Sequence, residues 1–109
     1  MDLNLVVLCG RLAVEPELKV FGSGTRLVRF LVTIRSDWPK RRVDVIPVTL
    51  WDPPDDLVDE LPPKGLRVWV CGSAQRRFWE APDGRRSRLE IVAEQVNVKD
   101  VEELQPITI

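Results

Sequence analysis

Apolar and polar positions alternate with a period of two through most of this chain, the spacing of β-strands, whose successive side chains point to opposite faces. Between Thr25 and Arg35 the pattern is cleanest. Val28, Phe30, Val32 and Ile34 fall on one face, while Arg29, Thr33 and Arg35 share the other with Leu27 and Leu31. From Val43 to Trp51, the set Ile46, Val48 and Leu50 opposes Val45, Thr49 and Trp51. Pro47 interrupts that run; having no N–H to give to a ladder, it predicts an edge strand or a local bulge. In the stretch Arg67 to Ala74, Val68 and Val70 point inward and Trp69 outward, and further on Leu89, Ile91 and Ala93 alternate with Arg88, Glu90 and Val92. The first strand differs. Leu5 to Leu12 reads LVVLCGRL, apolar at both parities, which predicts that one face meets the interior and the other needs a second cover such as a partner subunit.

One segment breaks the alternation. Pro53-Pro54-Asp55-Asp56 leads into Leu57, Val58 and Leu61, and Pro62-Pro63 closes it, predicting a helix of barely two turns with Asp55 or Asp56 as its cap. Three strands, a short helix and two more strands is the element order of an OB-fold. The expected class is therefore all-β: a five-stranded OB-fold Greek-key barrel with one short helix between strands 3 and 4. Residues 1–98 are expected to form that single domain and residues 99–109 a short C-terminal extension.

Candidate chemistry concentrates in Gln75 to Arg88, QRRFWEAPDGRRSR, five arginines and two adjacent aromatics around one turn signal. Ala81-Pro82-Asp83-Gly84 reverses the chain, proline fixing φ and glycine accepting a positive one. One hairpin arm then carries Arg76, Arg77, Phe78 and Trp79, the other Arg85, Arg86 and Arg88. Cations that neutralise phosphates beside flat rings that stack on bases suit a single-stranded nucleic acid. A merely solvated, charged hairpin is the plainer alternative.

A net charge of −1 argues against a polyanion partner only until the charges are placed along the chain. Residues 52–60 sum to −5 and residues 90–109 to −4, so the remainder carries +8, from 15 basic against 7 acidic residues. Local field, not net charge, steers a polyanion. Cys9 and Cys71, with no histidine anywhere in the chain, do not make a four-ligand zinc set. They read as small buried hydrophobes kept reduced, and a disulfide is the lesser alternative. No metal or other cofactor is expected. No apolar run approaches the roughly 20 residues of a membrane helix, and the start, Met1-Asp2-Leu3-Asn4, has no basic region ahead of an apolar one; a cytoplasmic protein is expected.

Several motifs then fall into a known order. Asn4-Leu5-Val6-Val7-Leu8-Cys9-Gly10-Arg11-Leu12 with Glu15-Pro16-Glu17-Leu18 resembles the opening strand and loop of bacterial single-stranded DNA-binding proteins. Arg29-Phe30-Leu31-Val32-Thr33 followed by Ser36-Asp37-Trp38 resembles their second strand and its exit. Lys64-Gly65-Leu66-Arg67-Val68-Trp69-Val70-Cys71-Gly72, with Arg76, Arg77, Phe78, Trp79, Gly84 and Arg85, is similar to their fourth strand and long hairpin. The resemblance covers about residues 4–97. It implies an OB-fold, a homo-oligomer, usually a tetramer, and the wrapping of single-stranded DNA in replication, recombination and repair. It also implies base stacking at Trp38, Trp51 and Trp79; Trp51 stands where phenylalanine is more usual, and Val45 lies near the place of a further aromatic. Trp69, flanked by inward valines and matching no stacking position, is expected to pack in the core or between subunits. The family's glycine-, proline- and glutamine-rich tail with its acidic tip has no counterpart among the residues up to Ile109, which leaves tail-mediated recruitment of proteins in doubt unless the sequence is a truncated one.

Three functional readings remain. In the first, a sequence-tolerant binder of single-stranded DNA meets phosphates with Arg29, Arg35, Lys40, Arg41, Arg42, Arg76, Arg77, Arg85, Arg86 and Arg88, and stacks bases on Trp38, Trp51, Trp79 or Phe78. Phe78 and Trp79 point to opposite faces of one strand and would not serve equally. In the second, an oligomeric OB-fold module of protein–protein or primosome-type accessory function binds DNA weakly. The third, an enzyme, lacks its residues: there is no histidine for acid–base work, no phosphate-cradling glycine loop and no cysteine–histidine pair.

Overall fold

The computed structural model describes residues 1–99. Along them run β1 (Val6–Leu12), β2 (Glu17–Val20), β3 (Arg26–Ser36), β4 (Arg42–Trp51), α1 (Asp55–Asp59), β5 (Arg67–Ala81) and β6 (Gly84–Lys99). β1 pairs with β5, β5 with β6, β6 with β4, β4 with β3, and β3 again with β1. Five strands thus close a ring, antiparallel at every seam except β4–β6, which is parallel. This is the expected OB-fold with its helix between β4 and β5. β2 is an addition to the five strands that the alternation predicts. Its four residues, ELKV, alternate too briefly to stand out, and they are held by β3, where Glu17 faces Arg29 and Val20 faces Arg26.

The inward parities are those read from the pattern. Val28, Phe30 and Val32 of β3, Val48 and Leu50 of β4, and Val68 and Val70 of β5 form one buried cluster with Leu12 and Ala93. Burying the valine, leucine and phenylalanine side chains among these stabilises the fold by roughly 1.5–3 kcal/mol each. Leu57 and Leu61, from α1 and the turn after it, pack against the cluster from outside. The helix is shorter than expected, and its N-cap is Pro54, not an aspartate. Asp55 instead takes a salt bridge from Arg26 at 2.8 Å, and Asp56 accepts from the Leu57 N–H at 3.0 Å. The helix is therefore tied to β3 by charge as well as by its leucines.

Pro47 sits opposite Leu31. The Leu31 carbonyl accepts from the Ala13 N–H at 2.8 Å, on the β1 side of β3. The Leu31–Pro47 pair is thus a non-hydrogen-bonded one, and the missing N–H faces the side where β4 meets β6 only at Val48 and Thr49. That placement is the edge position the proline required.

β5 and β6 extend as a long hairpin beyond the ring. Ala81 pairs with Gly84, whose φ of 128° only glycine adopts without strain. Cys71 faces Gln95 but Gly72 faces Ala93, so Glu94 is an extra, bulged residue. The bulge switches the inward parity of β6 from Val98 and Val96 to Ala93 and Ile91. Gly72 has to be glycine, since a Cβ there would collide with the Val92 carbonyl. Leu89 shares the parity of Ile91 yet is exposed, because the hairpin has left the ring by that point. Trp69 lies on the outward face, 44% exposed, so the core half of its expectation is overturned. Both cysteines are free: Cys9 faces Trp69 and Cys71 faces Val7, two rungs apart on one ladder. The outward parity of β1 stays open in the single chain, with Leu5 and Val7 exposed.

Candidate nucleic-acid interface

The outer face of β3 organises the interface. Its outward residues, Arg29 among them, alternate with the buried Val28 and Phe30, so the strand that supplies the core also supplies the site. Leu27 faces Trp51 on β4 and Lys19 on β2, which puts an indole and an ammonium in one row across three strands. Phe21, just past β2, stacks on Trp51 with centroids 5.9 Å apart and planes at 20°. The pair turns a lone ring into a broader aromatic surface, and Trp51 remains 40% exposed.

The long hairpin bends toward that face. Lys19, Arg29, Arg77, Trp79 and Arg88 together line a hollow of about 390 Å³. The Trp79 ring is 41% exposed within this cationic frame, and the Arg88 guanidinium carbon lies 5.8 Å from its centroid. A base entering here would meet a π-face while its phosphates met three arginines and a lysine. Phe78 is not brought to this hollow. It points to the other side of the hairpin, as the parity argument required, under Arg85 at 4.7 Å, with Arg76 donating to the Ser87 hydroxyl at 3.3 Å.

Trp38 stands apart in the loop between β3 and β4, 85% exposed. Eight residues separate Leu27 from Arg35 along β3, about 26 Å at roughly 3.3 Å per residue. Trp38 and Trp51 therefore mark two ends of a path and do not converge on one pocket. Between them, where β1 crosses β3, Arg11, Arg35, Lys64 and Arg67 surround a second cationic hollow of about 520 Å³.

The candidate cations divide by their partners. Arg42 donates two bonds of 2.9 Å to the Asp44 carboxylate, and Arg86 is paired with Asp83. Arg41 lies 3.8 Å from Asp37, both almost fully exposed. The hydrogen bonds from Arg42 hold the Asp44 carboxyl below its ordinary value, and Asp44 in turn raises the Arg42 guanidinium. By contrast Arg29, Arg35, Lys40, Arg76, Arg77, Arg85 and Arg88 have no carboxylate partner among the described residues. These hold the uncompensated charge.

Sequence reasoning missed Lys19, Phe21, Arg11, Lys64 and Arg67. Lys19 lies in β2 and Phe21 just after it, and ELKV is too short to stand out as a strand; the others belong together only once β1 crosses β3. Among the described residues no group of three histidine, cysteine, aspartate or glutamate side chains is placed to hold a metal ion. Among the described residues no helix is long and apolar enough to cross a membrane.

The chain is similar to several known proteins. The chain is 36% identical to a single-stranded DNA-binding protein of Clostridium tetani over 99 residues, covering 86% of this chain and 68% of that one. It is 37% identical to single-stranded DNA-binding protein 3 of Clostridium acetobutylicum over 99 residues, covering 86% and 69% of the two chains. In three dimensions it is similar to a Plasmodium falciparum SSB solved in complex with single-stranded DNA, with a TM-score of 0.75 and 26% identity over 93% of this chain and 96% of that one. The model of the Single-strand binding protein family matches residues 3–99, and the chain belongs to that family.

Proposed function

We propose that this chain binds single-stranded DNA without regard to base sequence, using residues 1–98 as one binding domain followed by a short extension. The observation that carries the reading is the half-open Trp79 ring framed by Lys19, Arg29, Arg77 and Arg88. Any base presents a π-face to an indole, and arginine meets phosphate, so neither contact reads sequence. Trp79 and the Phe21–Trp51 stack serve as base platforms, with Trp38 at the far end of the path. Arg29, Arg35, Arg77 and Arg88 neutralise phosphates between them. Arg41, Arg42 and Arg86 contribute less, because a carboxylate already compensates each one. Phe78, Arg76 and Arg85 sit on the reverse of the hairpin and contact a strand only where it wraps around the tip.

The apolar outward strip of β1 and β5, in which Leu5 and Val7 lie on the same side as Trp69, supports assembly into a homo-oligomer, with a tetramer favoured. An open hydrophobic strip on a ring of this size is the kind of surface that a second subunit covers. The two free cysteines fit a reducing, cytoplasmic setting.

Tryptophan emission titrated with oligo-dT tests the binding reading. Quenching that reverses with salt is expected, since counterion release gives log K a slope of about −0.7 per phosphate neutralised on a single strand. Unchanged emission together with no gel shift at low salt refutes it. For assembly, light scattering should give a multiple of the chain mass that falls on Leu5→Asp with Val7→Asp; a wild-type monomer refutes that part alone.

A further inference from the structure

The end of the β5–β6 ladder opposite the hairpin holds a groove that the DNA reading does not use. It has a volume of about 630 Å³ and lies between α1 and the last part of β6. Leu57, Leu61, Val96 and Val98 form its floor, each only partly buried against the core. Asp56, Glu60 and Glu94 form its rim. These three carboxylates are exposed and have no cation partner among the described residues.

A second feature adjoins the groove. The pairing of β4 with β6 ends at Thr49 and Val92, so from Ala93 to Val98 one edge of β6 has no strand beside it among the described residues. The other edge is fully paired with β5, from Gln95 opposite Cys71 to Val98 opposite Val68. Alternate residues of an antiparallel strand turn their N–H and C=O toward the unpaired side, and such an edge is a template for one more strand. The bulge at Glu94 sets the acidic rim next to that edge.

We propose that this groove and edge take up an extended segment of another protein, in which aliphatic side chains alternate with lysine or arginine. The segment adds to β6 as a strand, places its aliphatic side chains on the leucine and valine floor, and sets its cations against the acidic rim. The charge of the rim excludes a nucleic acid as occupant. It also disfavours the chain's own residues 100–109, which carry three acids and no base. The proposal does not depend on DNA binding, because the site lies away from the Trp79 hollow.

The test is fluorescence anisotropy of a labelled synthetic octapeptide alternating leucine with lysine, titrated with the full chain. Saturable binding is expected, weakened tenfold or more by Glu60→Lys with Glu94→Lys and by methylating alternate peptide nitrogens, and unaffected by saturating oligo-dT. The double variant should keep its oligo-dT binding and its thermal transition, because both side chains are exposed; the milder Glu60→Gln with Glu94→Gln should weaken the peptide in the same direction. Absent binding, indifference to the rim variants or to methylation, or displacement of the peptide by oligo-dT overturns the proposal. A drop in solution mass in the rim variants would give the groove to a second copy, and a rise in peptide affinity on Ile107→Asp would give it to the chain's own end; either result refutes the occupant proposed.

Discussion

Replacing Trp79 with alanine removes a ring framed by Lys19 and by three arginines that have no carboxylate partner among the described residues, and the structure fixes how large the effect should be. The indole is 41% exposed, so it has a face to offer. One base stacked on an aromatic side chain contributes about 1–3 kcal/mol, which at about 1.4 kcal/mol per decade is a roughly 5- to 150-fold weaker Kd. Stability should change little. Trp79 lies outside the buried cluster, and Arg88 lies over its ring in a cation–π contact of about 0.5–1 kcal/mol at an exposed site. Because no charge is removed, the slope of log Kd against log salt should stay at its wild-type value while the line shifts. Arg77→Ala should do the reverse, lowering the slope by about 0.7. Anisotropy of labelled oligo-dT across a salt series measures both quantities, and Trp79→Phe, which keeps a π-face, should recover most of the loss. An unchanged Kd in Trp79→Ala, or a shift seen only in the slope, would show that the ring does not stack.

Other expectations follow from neighbouring features. Asp44→Asn releases Arg42 from its bidentate partner and should tighten oligo-dT binding a few-fold with a steeper salt slope, whereas Glu60→Gln, at the far end of the ladder, should leave both unchanged. Gly72→Ala forces a methyl into the Val92 carbonyl and should cost about 1–3 kcal/mol as an overpacked site, read as a drop of about 4–8 °C in Tm per kcal/mol. Affinity should be flat between about pH 5 and 8, because the chain has no histidine and no other side chain normally titrates in that window. The sign for the Arg42–Asp44 pair agrees: its carboxyl is held below the ordinary value, so the pair is intact above that range and is lost only as pH falls through it. A pH titration of Kd with a step near neutrality would contradict this.

How much of this was legible in the sequence depended on the range of the interaction. Strand parity is local, and Val28, Phe30, Val32, Val48, Val68 and Val70 all point inward as the alternation required. The turn at Pro82-Asp83 is equally local. Three features were not local. The bulge at Glu94 shifts parity halfway along β6, and nothing in the residue itself announces it; only the register against β5 does. β2 exists because β3 offers it an edge, not because ELKV is a strong strand. The grouping of Arg29 and Lys19 with the hairpin's Arg77 and Arg88 requires the hairpin to bend back over β3, a tertiary fact. The candidate site is therefore present in the sequence as a list of suitable side chains, and the fold brings only some of them together. It kept Trp79, Arg77, Arg88 and Arg29 together, turned Phe78 and Arg85 away, and left Arg42 and Arg86 already neutralised.

The near-neutral total charge conceals an uneven distribution of charge over the fold. Arginines crowd the tip of the β5–β6 ladder near Ala81 and Gly84, while the acid-rimmed groove lies beside its opposite end, where Val68 faces Val98 and Arg67 belongs to the second cationic hollow. From Ala81 to Val68 the strand measures about 43 Å at roughly 3.3 Å per residue. Screening at physiological salt acts over about 8 Å, so the carboxylates at one end do not cancel the field at the other. A polyanion approaching the hairpin meets an essentially basic surface, and a basic peptide approaching the groove meets an acidic one. If the two faces work independently, the chain can hold a strand of DNA and a protein segment at once, and a rise in salt should release the DNA without the ladder between them having to move.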